Sequence, residues 1–244
     1  MNYNNKTLYI CATIHARSGS KGLRNKNFRK FCGKPLIFYS INIAKSIKRI
    51  NKVIVSTDSK KIAKISKKFK SDVCIRPKHL AHDKADIWKS WQHLMKFLKK
   101  KDQRMPDLIV DIPTTSPLRN IKDINGSINK FLKNKKSDML LTVVEARRNP
   151  YFNMVKINKK GFLDIVISPK QHIYNRQKAP EIFDVCTLAY ITTPKYILKN
   201  SHMFKGNVDY YKVDKSRSVD IDDLDDFNLA EIMYRNRNRK KNVK

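Results

Sequence analysis

Short apolar runs at residues 8–14, 53–55, 73–75, 108–112 and 139–144 alternate with segments of helical periodicity, and this alternation constrains the fold more than any other feature. Runs that stay apolar at successive positions and are rich in β-branched residues suit strands covered on both faces of a parallel sheet. The segments between them carry apolar stripes at helical spacing. One stripe is Ile37, Ile41, Ala44 and Ile47; a second is Ile87, Trp91, Leu94, Met95 and Leu98, with lysines opposite; a third is Ile121, Ile124, Ile128 and Phe131. Asp123 falls in the first turn of the third helix, where a negative charge is favourable. Repeated β–α alternation implies an α/β fold: a doubly wound, mostly parallel sheet with right-handed crossovers. Trp88 and Trp91 lie on the second stripe and read as packing residues.

Beyond residue 145 the pattern is less regular. Strand-like pieces at 153–157, 162–167 and 188–192 are separated by a polar stretch at 170–180, which predicts a small β-rich protrusion over about 146–182. A last helix is predicted over 224–234, with Leu224, Phe227, Ala230 and Tyr234 facing inward. Residues 1–234 then form one domain, and 235–244 a frayed basic tail. No apolar run approaches the ~20 residues of a membrane span. The run 8–14 leads straight into Arg17 and Lys21 without a cleavage site, so no signal peptide is expected. Cys11, Cys32, Cys74 and Cys186 show neither C-x-x-C nor zinc-ligand spacing, which points to free thiols in a reducing compartment and a cytoplasmic location.

Charge is the other extreme feature: 53 Lys+Arg against 21 Asp+Glu, a net +32. Such a field attracts polyanions and phosphorylated small molecules alike. The lysines are dispersed over every predicted helix and lack interleaved aromatics, so a nucleic-acid partner is disfavoured and biased composition is the simpler explanation.

Three segments carry candidate chemistry. Ligands of open α/β sheets bind beyond the carboxyl ends of the strands. The segment from Ala16 to Asn27 follows the first strand with two glycines, two serines and Arg17, Lys21, Arg24 and Lys26, a composition suited to a triphosphate. It matches neither the Walker A nor the dinucleotide fingerprint. Asp111-Ile-Pro-Thr-Thr-Ser-Pro-Leu-Arg119 follows the fourth run onto the same sheet edge. Its hydroxyls and Arg119 suit a base, ribose or phosphate, though they also describe a turn before a helix. In Ser218-Val-Asp-Ile-Asp222 an extended chain puts Asp220 and Asp222 on one side. Two hard carboxylates suit Mg²⁺ beside phosphates, and the acidic cluster 220–226 equally suits a helix cap.

These residues, taken in order, carry a resemblance. Ile14-His-Ala-Arg-Ser-Gly-Ser-Lys-Gly22, Lys26-Asn27, Gly33-Lys-Pro-Leu36, Val55-Ser-Thr-Asp58, Arg76-Pro77, Leu80-Ala-His-Asp83, Thr115-Ser-Pro-Leu-Arg119, Arg176-Gln177 and Asp220-Ile-Asp222 resemble the acylneuraminate cytidylyltransferases, over roughly residues 8–231. Arg147-Arg-Asn-Pro-Tyr-Phe-Asn-Met-Val155 and Arg176-Gln-Lys-Ala-Pro180 look closest to the CMP-legionaminic acid synthetases. The resemblance implies a Rossmann-like sheet, a homodimer formed partly by the protrusion, and transfer of CMP from CTP to an acidic nine-carbon sugar with Mg²⁺ as cofactor. It assigns CTP to Ala16, Arg17, Ser20, Lys21, Lys26, Asn27, Arg76 and Asp83, with Lys21, Arg17 and Asp222 as the catalytic set. It gives the metal to Asp220 and Asp222. The sugar falls to Thr115, Ser116, Arg119, Arg176, Gln177 and Tyr190. No residue stands out as general base, Asp83 being one candidate. The chain departs from the family pattern at His15 (a small residue or proline in many relatives), Pro113 (a glutamine or acid), Asp184 (an arginine) and Cys186 (an asparagine that helps hold the sugar).

Overall fold

A computed structural model describes residues 7–20, 22–82, 85–169 and 173–242, with side chains to residue 239. In chain order the elements are β1 (Ile10–His15), β2 (Lys30–Phe31), β3 (Lys34–Pro35), α1 (Leu36–Lys45), β4 (Lys52–Thr57), α2 (Lys60–Lys68), β5 (Asp72–Ile75), α3 (Ile87–Asp102), β6 (Leu108–Asp111), α4 (Ile121–Lys133), β7 (Met139–Glu145), β8 (Val155–Ile157), β9 (Leu163–Ile165), β10 (Phe183–Thr192), α5 (Pro194–Lys199), β11 (Val208–Lys212) and α6 (Leu224–Asn242). The main sheet runs β11-β7-β10-β6-β1-β4-β5. Only β10 is antiparallel to its neighbours; the pairs β1–β4, β1–β6, β4–β5 and β7–β11 are parallel.

The strands are apolar at successive positions because both faces of this sheet are covered. Ile10, Ala12 and Ile14 pack with Ile37 and Ile41 of α1 and with Ile124, Ile128 and Phe131 of α4. Cys11 points the other way, into a cluster with Trp88, Trp91, Leu94 and Leu98 of α3 and Tyr196 and Ile197 of α5. Trp88 donates its indole N–H to the carbonyls of Ile197 (3.1 Å) and Asn200 (2.6 Å), so both tryptophans serve packing. The helix ends follow capping chemistry. In α4, Asn120 accepts from the Asp123 amide and Asp123 from the Asn120 amide, a reciprocal box.

After β1 the chain moves to β4 on one side, and it later returns to β6 on the other. The carboxyl ends of β1 and β6 therefore diverge at a topological switch point, the place where open α/β sheets bind ligands.

Several expectations need correcting. Leu224 is exposed, while Phe227 and Ala230 are buried. The last helix does not stop at 234: it continues to Asn242, and Arg237 Nη1 donates to the Leu118 carbonyl at 2.7 Å, which ties this basic stretch to the domain. Two elements were not anticipated, although α2 buries Ile62, Ala63 and Ser66 on one face. Lysines crowd the α2 sequence, and β11 is an edge strand whose polar residues break the alternation.

Candidate active site

The segment after β1 is fixed by neighbours on three sides. Asp58, just past β4, accepts from the Ser18 amide (2.8 Å) and hydroxyl (2.5 Å). Asn27 donates its side-chain N–H to the Arg17 carbonyl at 2.8 Å and accepts from the Thr114 hydroxyl at 2.6 Å. Gly22 lies so close to the Asp222 carbonyl that an added Cβ would fall 2.2 Å from it, so only glycine permits this approach. Lys26 donates Nζ to the Ile221 carbonyl at 2.5 Å and stands 3.5 Å from the Asp222 carboxylate. Ile221 in turn donates its amide to the Thr115 carbonyl at 2.9 Å. The three candidate segments thus meet at one sheet edge.

The acidic cluster divides its labour. Asp223 and Asp226 cap α6: Asp223 accepts from the Asp226 amide at 2.9 Å, and Asp226 accepts from the Asp222 and Asp223 amides. Asp220 and Asp222 are left over. Asp220 Oδ1 is buried with no hydrogen-bond partner among the described residues, whereas the Asp222 side chain is 80% exposed. Arg217 anchors the start of this stretch with a bidentate pair to Asp123, at 2.9 Å from both Nε and Nη2. An orphaned carboxylate oxygen beside an open carboxylate fits a hard divalent cation that takes its remaining ligands from phosphates and water. Among the described residues there is no set of three or more His, Cys, Asp or Glu that could hold a metal unaided.

A cleft of about 330 Å³ opens at this edge, lined by His15, Arg17, Gly19, Ser20, Lys26, Asn27, Arg76, Leu80, His82, Ala85, Ile87, Ser90, Thr114 and Thr115. Arg17, Ser20, Lys26, Asn27, Arg76 and Thr115 were expected there from the sequence. Lys21 and Asp83 lie outside the described residues. Arg76 is buried and donates to the Ser90 hydroxyl at 3.1 Å, and burial lowers its pKa. Ala85, Ile87 and Ser90 escaped the sequence reading as site residues, while Thr114 and His82 fell within quoted segments without being singled out. Only the Leu80-Ala-His-Asp83 motif, which contains His82, signalled that wall.

Other candidates stand elsewhere. Ala16 packs into the core, and its amide donates to the Ser56 carbonyl, so its side chain is no ligand contact. Ser116 and Arg119 are buried beneath the loop instead of lining the cleft. The Ser116 and Thr115 hydroxyls share Thr187, at 2.6 and 2.9 Å. Arg119 donates to the Ser40 hydroxyl (2.8 Å), the Thr187 carbonyl (3.1 Å) and the Pro113 carbonyl. Burial pulls its pKa down to about 10, with Asp220 and Asp111 opposing. Thr187 falls in the register shift of β10 between Val185 and Tyr190, so an irregular strand supplies the partner for the loop. Cys186 is buried with Val144, Leu188 and Val213, away from the cleft. Arg176 and Gln177 line a second cavity of about 450 Å³ with Glu145, Arg148, Asn149 and Glu181, and Arg176 donates to the Ala146 carbonyl at 2.6 Å. Tyr190 pairs with Asp111 across the β6–β10 ladder.

A doubly wound sheet whose switch point holds a cationic loop, a hydroxyl loop and a carboxylate pair defines a nucleotide-handling enzyme. The family model described as cytidylyltransferase matches residues 11–232, and the chain belongs to that family of nucleotidyltransferases. It is 34% identical over 230 residues to the post-translational flagellin modification protein B of Campylobacter coli, covering 94% of this chain and 96% of that protein. It is 34% identical over 225 residues to the CMP-N,N'-diacetyllegionaminic acid synthase of Campylobacter jejuni, covering 92% and 94%. With the N-acylneuraminate cytidylyltransferase of Escherichia coli it shares 31% identity over 236 residues, covering 95% of this chain and 54% of that protein. In fold it matches a CMP:2-keto-3-deoxy-manno-octonic acid synthetase solved with CTP, with a TM-score of 0.71 at 14% identity, covering 94% and 99%.

Proposed function

We propose that the protein transfers CMP from CTP to a nonulosonic acid of the legionaminic or sialic type, releasing pyrophosphate. The observation that carries this is the contact of the Asp220–Asp222 segment with Lys26 and Gly22 of the β1 loop, the loop that lines the cleft. The family membership and the legionaminic relative supply the substrate class. The anomeric hydroxyl oxygen forms a bond to the α-phosphorus as the bond to the pyrophosphate oxygen breaks, and the hydroxyl proton leaves to solvent or a base. Such a transfer needs alignment and charge neutralisation more than covalent catalysis.

Arg17 and Lys21 hold the phosphates, and Lys26 fixes the carboxylate segment against the loop. Asp220 and Asp222 would hold Mg²⁺, which when bound offsets charge on the phosphates. Arg76 and the apolar wall of Leu80, Ala85 and Ile87 flank the nucleoside. Arg176, Gln177 and Tyr190 serve the sugar side. The protrusion exposes Val155, Ile157, Phe162 and Leu163, and its partner is a second copy of this chain, giving a homodimer that works in the cytoplasm.

The test is pyrophosphate release with CTP and Mg²⁺ against a panel of legionaminic, sialic, pseudaminic and shorter ulosonic acids. Turnover with a nine-carbon acid, abolished by chelator, is the expected result. No release with any member overturns the reading.

A further inference from the structure

His15 ends β1 and lines the cleft. Its side chain is only 5% exposed, yet neither ring nitrogen has a hydrogen-bond partner among the described residues. Leaving a buried polar group unpaired destabilises a protein, and native structures seldom do so without cause. Nε2 lies 3.7 Å from Asp111 Oδ1, beyond hydrogen-bond range but close enough to orient the ring. The Asp111 oxygen itself accepts from the Thr13 hydroxyl at 2.6 Å, so the carboxyl is held in place. Trp91 stands behind the ring, 6.2 Å between centroids.

Several neighbouring side chains of the cleft are already committed or cannot accept. Arg76 can only donate. The Ser90 hydroxyl already accepts from Arg76 and donates to the Leu80 carbonyl, both at 3.1 Å. Thr114 and Asn27 are bound to each other. Burial and the nearby Arg76 keep the imidazole neutral, so it offers no charge to a phosphate. A neutral ring has one donor and one acceptor nitrogen, and above about pH 7, where Asp111 is ionised, the neighbouring carboxylate favours the proton on Nε2. Nδ1 is then left as an acceptor with no partner among the described residues, on a side chain that lines the cleft.

We propose that His15, oriented by Asp111, is a specificity residue that accepts a hydrogen bond from the exocyclic amino group of the nucleotide base. An acceptor there favours an aminopyrimidine over its oxo counterpart, so it selects CTP against UTP. The inference rests on the nucleotide reading of the cleft and deepens it.

His15→Leu and His15→Gln, made in the full chain, test it by two readouts. In thermal unfolding without ligand, His15→Leu is expected to raise Tm by about 2 °C, because an unpaired buried polar group is gone. The Tm rise produced by CTP is expected to shrink. In steady-state assays KM for CTP rises about tenfold, the preference for CTP over UTP falls by a similar factor, and KM for the sugar stays within about twofold. Gln, whose side-chain oxygen can accept, restores part of the preference. An unchanged CTP/UTP ratio in His15→Leu, or a rise confined to the sugar KM, overturns the proposal. If the wild-type protein itself shows no CTP-induced Tm rise, the nucleotide reading fails instead, which separates the two.

Discussion

The switch-point cleft and the protruding hairpin spend their side chains in opposite ways. Around the cleft, polar groups are buried and tied to partners within the chain: Asn27 to Thr114, Arg119 to Ser40 and Thr187, Arg217 to Asp123. At the hairpin of β8 and β9 the apolar groups face outward, Ile157 at 75% exposure and Phe162 at 69%. Its two short strands pair only with each other, and a lone hairpin is marginal in water. The contrast is between polar groups satisfied inside the chain and an apolar surface left open, the surface proposed above to meet a second copy.

The largest effect should come from breaking the close approach at Gly22. In Gly22→Ala the new methyl group would have to displace the Asp222 carbonyl, parting the loop from the carboxylates. A 1 Å misplacement of this kind costs about a hundredfold in rate. A fall of about that size in kcat/KM, with far-ultraviolet circular dichroism unchanged, is expected; normal turnover would mean the two segments need not touch.

Lys26→Met comes next. It removes the bond to the Ile221 carbonyl and the neighbour of Asp222 while keeping the aliphatic stem. We expect kcat to drop about tenfold, and more Mg²⁺ to be needed for half-maximal rate, which a metal titration measures. Arg119→Met acts on stability. It strands the Thr187 and Pro113 carbonyls, and about 2–4 kcal/mol should be lost in urea unfolding, with activity falling because the Thr115 loop loosens. The hairpin tests the other half of the contrast. If the hairpin carries the proposed contact with a second copy, Phe162→Asp with Ile157→Lys should leave a monomer in sedimentation while shifting the Tm of the domain by only a few degrees. A dimer that survives both charges would place the subunit contact elsewhere.

The same contrast governs what could be read from the sequence. The strands with both faces covered announced themselves as continuous apolar runs, and the β–α alternation implied a mostly parallel sheet, while the strand order β11-β7-β10-β6-β1-β4-β5 came only from the structure. The β1 loop and the carboxylate pair stood out because glycine, lysine and aspartate are concentrated there. Arg119 misled because a conspicuous arginine in a hydroxyl-rich loop suggests a ligand, while its partner Thr187 lies 68 residues away in a strand irregularity that no local pattern encodes. Cys186, which stands where the family pattern has a sugar-holding asparagine, is buried with Val144, Leu188 and Val213. The Arg237 tie to Leu118 is also nonlocal, so the basic stretch read as frayed although it is helical.

The smallest effect, and the one that probes the cleft floor most directly, concerns sign more than size. Burial pushes the Asp111 carboxyl up to about 7, opposed by the Thr13 hydroxyl and then Arg119. A carboxyl with a raised folded-state pKa contributes stability that is present below its ordinary unfolded value near 4 and lost as pH rises toward 7. Burial lowers His15 well below 6.5, so its contribution is present above 6.5 and is lost as pH falls. Between about pH 4.5 and 6.5 the two oppose each other, and the wild-type slope from this pair should be shallow. Asp111→Asn leaves the histidine contribution alone, so Tm should rise with pH across that window relative to wild type. His15→Leu leaves the carboxyl, and its relative slope should fall. Scanning calorimetry at half-unit pH steps reads both; equal slopes in the two variants would mean that neither group is held away from its ordinary protonation, and that the cleft floor is wetter than its burial implies.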